Sequence, residues 1–344
     1  MITLLVIIGL VFLILAHEFG HFLFARLFRV HVEEFGIGYP PRLWGKKKGG
    51  VLWSINALPF GGFVKILGED GGVDNEHSFS RQKIWKRIVI LSAGVLMNIF
   101  VAWIFFSGVF MAGSPERAII MEVKEHTPAA VVGLKQGDMI LAMSSSQELV
   151  QKPNADEFIQ MTKRSAGKLI TLEISRSGKT ESVSITPRIN PPEGEGALGV
   201  SITNAGFKKQ PFFSALASGF LTTVEVIGAI VIGLITFFGS LFSPGAFDSV
   251  AGPIGVVKIA SEIGALGISY VFQIIGLISV NLAILNIIPF PALDGGRILF
   301  LIIEKIRGKP VHPRVEQITN MVGFFALIAL MIVVTTKDVL KLFS

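Results

Sequence analysis

"LILAHEFGHFLFARLF", residues 13–28, sets two histidines and a glutamate inside an otherwise apolar run. His17 and His21 are four apart, so on a helix they share one face and lie one turn from each other. Two imidazoles so placed reach one metal ion, with Glu18 beside the open position, the H-E-x-x-H arrangement of zinc hydrolases. Lipid sharpens the reading, because an ionisable side chain at mid-bilayer costs about 2.5–3.5 kcal/mol on insertion scales. Three polar groups within five residues need a partner there. A metal ion explains them better than a polar packing patch between helices.

The rest of the chain agrees that this run is a membrane span. Of 344 residues, 51% are hydrophobic and 16% charged, and the mean hydropathy is +0.64. Those values fit a multi-span membrane protein rather than a soluble domain. The net charge of +6 does not argue for nucleic acid, because Lys46, Lys47, Lys48, Lys83, Lys86 and Arg87 flank apolar spans as cytoplasmic loops do. Cysteine is absent, which excludes disulfides and thiolate metal sites. The first run has no basic leader and no small-residue cleavage site. It reads as a retained span over roughly Ile2–Phe28, closed by Arg26 and Arg29 on the cytoplasmic side.

Downstream, "VLWSINALPFGGFVKIL" (51–67) reads as a β-hairpin turning at Pro59, Gly61 and Gly62. Its Trp53, Phe60 and Phe63 suit a hairpin that touches or dips into the membrane. A second uncharged span covers about Ile88–Ala112. Residues 115–190 have a soluble composition, with strand-like "RAIIMEV" and "LITLEIS" and the helix-turn-strand pattern of "HTPAAVVGLKQGDMILAM". That order resembles a permuted PDZ domain. A linker, "PPEGEGALG" (191–199), leads to an apolar segment from Phe212 to Phe242 interrupted only by Glu225. A further uncharged stretch, Ile263–Leu293, ends in "NIIPFPALDGGR" (286–297). The cationic loop Lys305–Arg314 and a last span near Ile318–Thr336 follow.

Zinc needs at least one more protein ligand, and Asp294 is the candidate. Pro289 and Pro291 each remove a backbone donor and break the helix before it. The competing reading pairs Asp294 with Arg297 at the membrane surface.

Taken together, "HEFGH" in the first span, "NIIPFPALDG" in a late one, the PDZ-like insert and "GPIGV" (252–256) resemble the site-2 protease family of intramembrane metalloproteases. The similarity is greatest to the bacterial regulator-of-sigma-E protease type, here with a single PDZ-like domain. It implies that His17, His21 and Asp294 bind Zn2+ and that Glu18 is the general base. It implies that Asn286, Pro289 and Pro291, matching the family's Asn-x-x-Pro-x-Pro element, hold substrate, and that the hairpin is the family's membrane-dipping β-loop. "AGVLMN" places Gly94 and Asn98 where the family often shows Gly-Pro-x-x-Asn, with Val95 in place of the proline.

The expected fold is therefore an α-helical polytopic membrane protein with a membrane-associated β-hairpin and an inserted extracytoplasmic PDZ-like α/β domain. Residues 1–114 form the N-terminal membrane core, 115–190 the PDZ-like domain, 191–262 a linker and membrane-associated segment, and 263–344 the C-terminal core. Cationic loops 29–87 and 305–314 lie in the cytoplasm, so an even number of crossings separates the PDZ-like domain from the Asp294 span. Two crossings need about 40 residues, more than 212–242 supplies, which leaves about four transmembrane helices and both termini outside. The expected function is hydrolysis within transmembrane segments of single-span substrates in the bacterial inner membrane. Anti-sigma-factor-like proteins and remnant signal peptides are the substrate classes implied, in regulated intramembrane proteolysis. The PDZ-like domain's ligand stays open. A metal transporter would want ligands spaced along a path and has no use for Glu18; a membrane scaffold would need none of the four polar residues.

Overall fold

Apolar side chains on every face make Ile2–Leu27 (α1) a helix that water cannot surround. At 1.5 Å per residue its length is about 39 Å, more than a bilayer's hydrocarbon core of about 30 Å. In the computed structural model, residues 2–69, 75–146, 148–176, 179–192, 195–240, 252, 255–256, 260 and 267–343 are described. Contacts divide the chain into two units, Met1–Gly108 with Phe213–Ser344, and Val109–Phe212.

In the first unit α1 is followed by strands β1 (Val32–Lys48) and β2 (Val51–Ile66). They turn at Gly49 and Gly50, both with positive φ (60° and 80°), as a two-residue hairpin loop requires. The register runs from Lys48↔Val51 to Arg42↔Asn56. The first half of β1 then pairs on both edges, with Leu52–Ile55 and with Gly62–Ile66. The reversal read at Pro59, Gly61 and Gly62 is formed, since Leu52–Ile55 rise along Glu34–Ile37 and Gly62–Lys65 return along the same residues on the other edge; the two arms of 51–67 flank the first half of β1, and Gly49 and Gly50 make a second turn. The paired glycines of "KKKGGV" carry the tight turn because they alone in this stretch tolerate two successive left-handed residues. Phe35, Val51 and Ile66 bury against Ala25 of α1 and Ile90 and Leu91 of the next helix, which fixes the sheet beside the end of α1.

Helices α2 (Ile84–Ala112) and α5 (Phe212–Gly239) lead into and out of the second unit. Within that second unit, β3 (Ser114–Val123), α3 (Pro128–Val131), β4 (Met139–Ser144), β5 (Leu149–Gln151), α4 (Ala155–Arg164), β6 (Ile170–Arg176), β7 (Lys179–Ile185) and β8 (Val200–Phe207) follow one another. The strand order is β7-β6-β4-β3-β8, with β5 on β4. Ile120, Ile140, Met143, Phe158, Leu172 and Ile174 form its core. Asn154 caps α4 in a reciprocal box with Glu157. β8 lies in residues read from sequence as linker, yet it pairs along β3 from Val123↔Val200 to Ser114↔Phe207. The sheet therefore extends past 190. Just before β8, a hydrogen bond from Arg188 holds the Glu195 carboxyl below its ordinary pKa against the opposing effect of desolvation, and Lys124 adds to it.

After α5 come α6 (Ile268–Ile287), α7 (Asp294–Arg307) and α8 (Pro313–Phe343). Among the described residues five helices are long and apolar enough to cross a membrane: α1, α2, α5, α6 and α8. α5 belongs to that set by length and composition, although the topological reading above leaves it out of the crossings. It buries Ala215, Gly219 and Thr223, four residues apart on one face. Gly219 meets Ser107 of α2 so closely that a Cβ would collide, and Trp103 Nε1 donates to the Leu216 carbonyl at 2.9 Å. Residues 241 and 242 of the apolar segment, and Pro253 and Ile254 of "GPIGV", lie outside the described residues.

Candidate metal centre

One turn of α1 presents His17 and His21 side by side, 8% and 6% exposed. What lets α2 approach them is the absence of side chains. A Cβ on Gly94 would stand 2.5 Å from His21 Nε2 and 2.7 Å from His17 Cε1. A Cβ on Gly20 would strike the Ala93 carbonyl. Val95 sits within an unbroken α2, so the missing proline does not interrupt the helix.

The third group comes from the far end of the chain. α6 stops at Ile287, before Pro289 and Pro291, and the chain turns back into α7 with Asp294 as its first residue. The reversal is tight enough that Cβ atoms on Gly295 and Gly296 would strike the Ile287 and Phe290 carbonyls. Ala292 takes a left-handed φ of 72°, and its N–H donates to Asn320 Oδ1 of α8 at 3.1 Å. Asp294 Oδ2 thereby stands 3.0 Å from His17 Nε2 and 3.3 Å from His21 Nε2, while the two Nε2 atoms are 3.1 Å apart.

These separations fit zinc. Tetrahedral bonds of about 2.0–2.2 Å place ligand atoms about 3.3–3.6 Å from each other, within a few tenths of an ångström of the separations here, and two imidazoles with one carboxylate form a common catalytic donor set with one position open. His21 Nδ1 lies 2.8 Å from the Ile90 carbonyl, which can only accept, so Nδ1 carries the proton and Nε2 keeps its lone pair for a metal. Among the described residues, His17, His21 and Asp294 are the group able to hold an ion.

The competing surface pair is not formed. Arg297 instead pairs with Glu69, from the segment after β2, and Asp294 faces the imidazoles. Glu18 Oε2 accepts from the Val64 N–H of β2 at 3.1 Å. A cavity of about 540 Å³ is walled by Glu18, His21, Asp294, Asn320 and the β2 stretch from Phe63 to Ile66. Four of the sequence-selected residues, His17, Glu18, His21 and Asp294, thus converge. Asn286, Pro289 and Pro291 do not line this cavity; they sit at the end of α6 and in the turn that delivers Asp294. Sequence reasoning missed Glu69 and Asn320. Asn320, a polar residue beside the last apolar span, is the kind of signal that could have been found.

The model of Peptidase family M50 matches residues 5–330. A Clostridium perfringens protein, given the provisional name zinc metalloprotease, is 33% identical over 328 residues, 95% of each chain. The chloroplastic membrane metalloprotease ARASP of Arabidopsis thaliana is 31% identical over 352 residues, 96% of this chain and 77% of that one. The regulator of sigma-W protease RasP of Bacillus subtilis is 27% identical over 414 residues, 96% of each.

Proposed function

Because the chain belongs to peptidase family M50, the site-2 proteases, we propose that His17, His21 and Asp294 hold its zinc and that Glu18 is the general base for cleavage inside transmembrane segments. The protein is a membrane zinc metalloprotease with several apolar helices. The observation that carries the site assignment is the meeting of three donor atoms within 3.0–3.3 Å, two from α1 and one from α7.

Zinc, when bound, supplies a Lewis acid that makes water nucleophilic near neutral pH and polarises a carbonyl. The protein's own groups do the rest. Glu18, in the cavity wall beside His21, accepts the proton of the attacking water and returns it to the leaving amine. The Ile90 carbonyl fixes the His21 ring, and the Ala292–Asn320 bond fixes the turn carrying Asp294.

A transmembrane substrate has its carbonyls hydrogen-bonded internally and must unwind first. The register of Gly62–Ile66 is entirely with the first half of β1, and the Val64 N–H is spent on Glu18 rather than on β1. An extended substrate segment adds to that stretch by β-augmentation, alongside the cavity. Asn286, whose amide has no partner among the described residues, serves as a further substrate contact, with Pro289 and Pro291 shaping its neighbourhood.

The substrates are single-span membrane proteins of the anti-sigma-factor type, with remnant signal peptides as a second class, in regulated intramembrane proteolysis. The sigma-W regulator among the relatives supports this. The cationic loops support a centre toward the cytoplasm and a sheet-bearing second unit, read as a PDZ-like domain, outside the inner membrane. Four crossings remain the preferred topology. Gly252 and Gly255 N–H groups donate to Asp338 near the end of α8, at 3.2 and 2.8 Å. Residues 241–251 are fewer than the about 20 needed for a helical return across the bilayer after α5.

The test is cleavage of a panel of single-span substrates by purified protein, with product masses locating the cut, and Glu18→Gln as the partner variant. Glu18→Gln should keep its zinc and lose turnover. Turnover retained in that variant removes Glu18 from the chemistry, and cuts outside the apolar segment refute the substrate assignment.

A further inference from the structure

His21 has an evident orienting partner, the Ile90 carbonyl; His17 has an amide whose two ends are at odds with their surroundings. Asn98 of α2 is fully buried, and its Nδ2 stands 3.5 Å from His17 Nδ1. Its Oδ1 is equally buried and has no hydrogen-bond partner. The Asn98 backbone is well held, since Ser279 Oγ of α6 donates to its carbonyl at 2.7 Å.

The inference rests on His17 being a zinc ligand. Its Nε2 is the atom facing Asp294 and His21, so a metal held there requires the proton on Nδ1. Nδ1–H then faces the Nδ2 donors of Asn98 while a buried acceptor on the same amide goes unused. A half-turn of the amide about its last side-chain bond, which hardly changes its shape, ends the donor-to-donor approach and turns the amide oxygen toward the ring. Oδ1 then accepts from Nδ1–H. We propose that Asn98 is a positioning residue for the metal centre, its amide oxygen fixing the His17 ring and tautomer as the Ile90 carbonyl does for His21. Each ligand imidazole from α1 would then be oriented by α2, through one main-chain and one side-chain oxygen.

The test measures zinc affinity of the full-length protein by competition with a chelator, for Asn98→Leu, Asn98→Ala and Asn98→Asp. Leucine keeps the volume and removes the acceptor; aspartate keeps the shape and offers only acceptors. Leu and Ala should weaken zinc about 10–100-fold, as loss of an outer-shell partner does. Asp should hold zinc at least as tightly as asparagine and keep the visible spectrum of the cobalt-loaded protein. If Leu fails to fold, Ala carries the same expectation. Wild-type affinity in the folded Leu or Ala variant overturns the proposal, and so does an Asp variant that falls as far as they do, since Nδ2 would then be the group that matters. His17→Ala separates this failure from failure of the ligand assignment: full zinc retention there overturns the assignment itself.

Discussion

Gly94→Ala adds one methyl group where the two imidazoles and α2 meet. The new Cβ would lie 2.5 Å from His21 Nε2 and 2.7 Å from His17 Cε1 and Nε2, whereas ordinary contact begins at 3.4 Å. The rings or the helix must retreat by about 0.7–0.9 Å, several times the roughly 0.2 Å latitude of a zinc–ligand bond. A misplacement near 1 Å costs about 100-fold in rate, so kcat/KM should fall at least about that far. Zinc should leave the variant on dialysis against a chelator that wild-type protein resists. Alanine is the better helix former by about 0.5–1 kcal/mol, so α2 itself is not weakened by the change. Zinc content by atomic absorption and cleavage of one fluorogenic single-span substrate, on the same sample, make the assay. Wild-type zinc and turnover in Gly94→Ala would refute the reasoning, because the ligand rings could not then be where the structure places them.

Asp294→Ala should lose zinc while Arg297→Ala, whose carboxylate partner is Glu69, should retain it; the opposite pattern in a metal assay would restore the surface-pair reading. Asn320→Ala frees the Ala292 turn and should lower kcat without unfolding the protein, and unchanged turnover would leave the turn self-supporting. Replacing residues 114–207, the whole sheet rather than 115–190, by a flexible linker should spare cleavage of short trimmed substrates and admit longer ones. A zinc-loaded deletion variant inert toward short substrates would put that unit in the chemistry instead. Single cysteines at Ser201, Ser240 and Lys337 should all be labelled from outside in this cysteine-free chain, and inside labelling at Ser240 would make α5 a crossing.

What could be read from the chain alone was whatever is written in local pattern and cost. His17, Glu18 and His21 declare themselves because lipid penalises them, and Asp294 because two prolines and two glycines surround it. The extent of the β-sheet beside the centre was not so written. Its strands pair across register shifts that no alternation of side chains encodes, so the reversal at Gly61 and Gly62 was legible while the seating of β1 between its two arms, and the further turn at Gly49 and Gly50, were not. β8 was hidden for a related reason: "GVSITN" is short and weakly apolar, and only its pairing with β3 makes it a strand. The Arg297–Glu69 pair joins residues 228 apart in sequence, and neither residue's neighbours hint at the other. Asn98 was visible as a residue but not as a partner of His17, since that relation exists only once two helices pack.

The centre is split between two parts of the chain made at different times. His17 and Asp294 are 277 positions apart, so at about 5–20 residues per second a ribosome needs on the order of 15–55 s to go from one to the other. On the ligand set proposed above, the growing chain in that interval carries both imidazoles and the glutamate but lacks its third ligand. On that reading it is chemically silent until Asp294 arrives. Activity then begins only when the turn after α6 folds back on α1, and on the proposed ligand set completion of the fold is its own licence to cut.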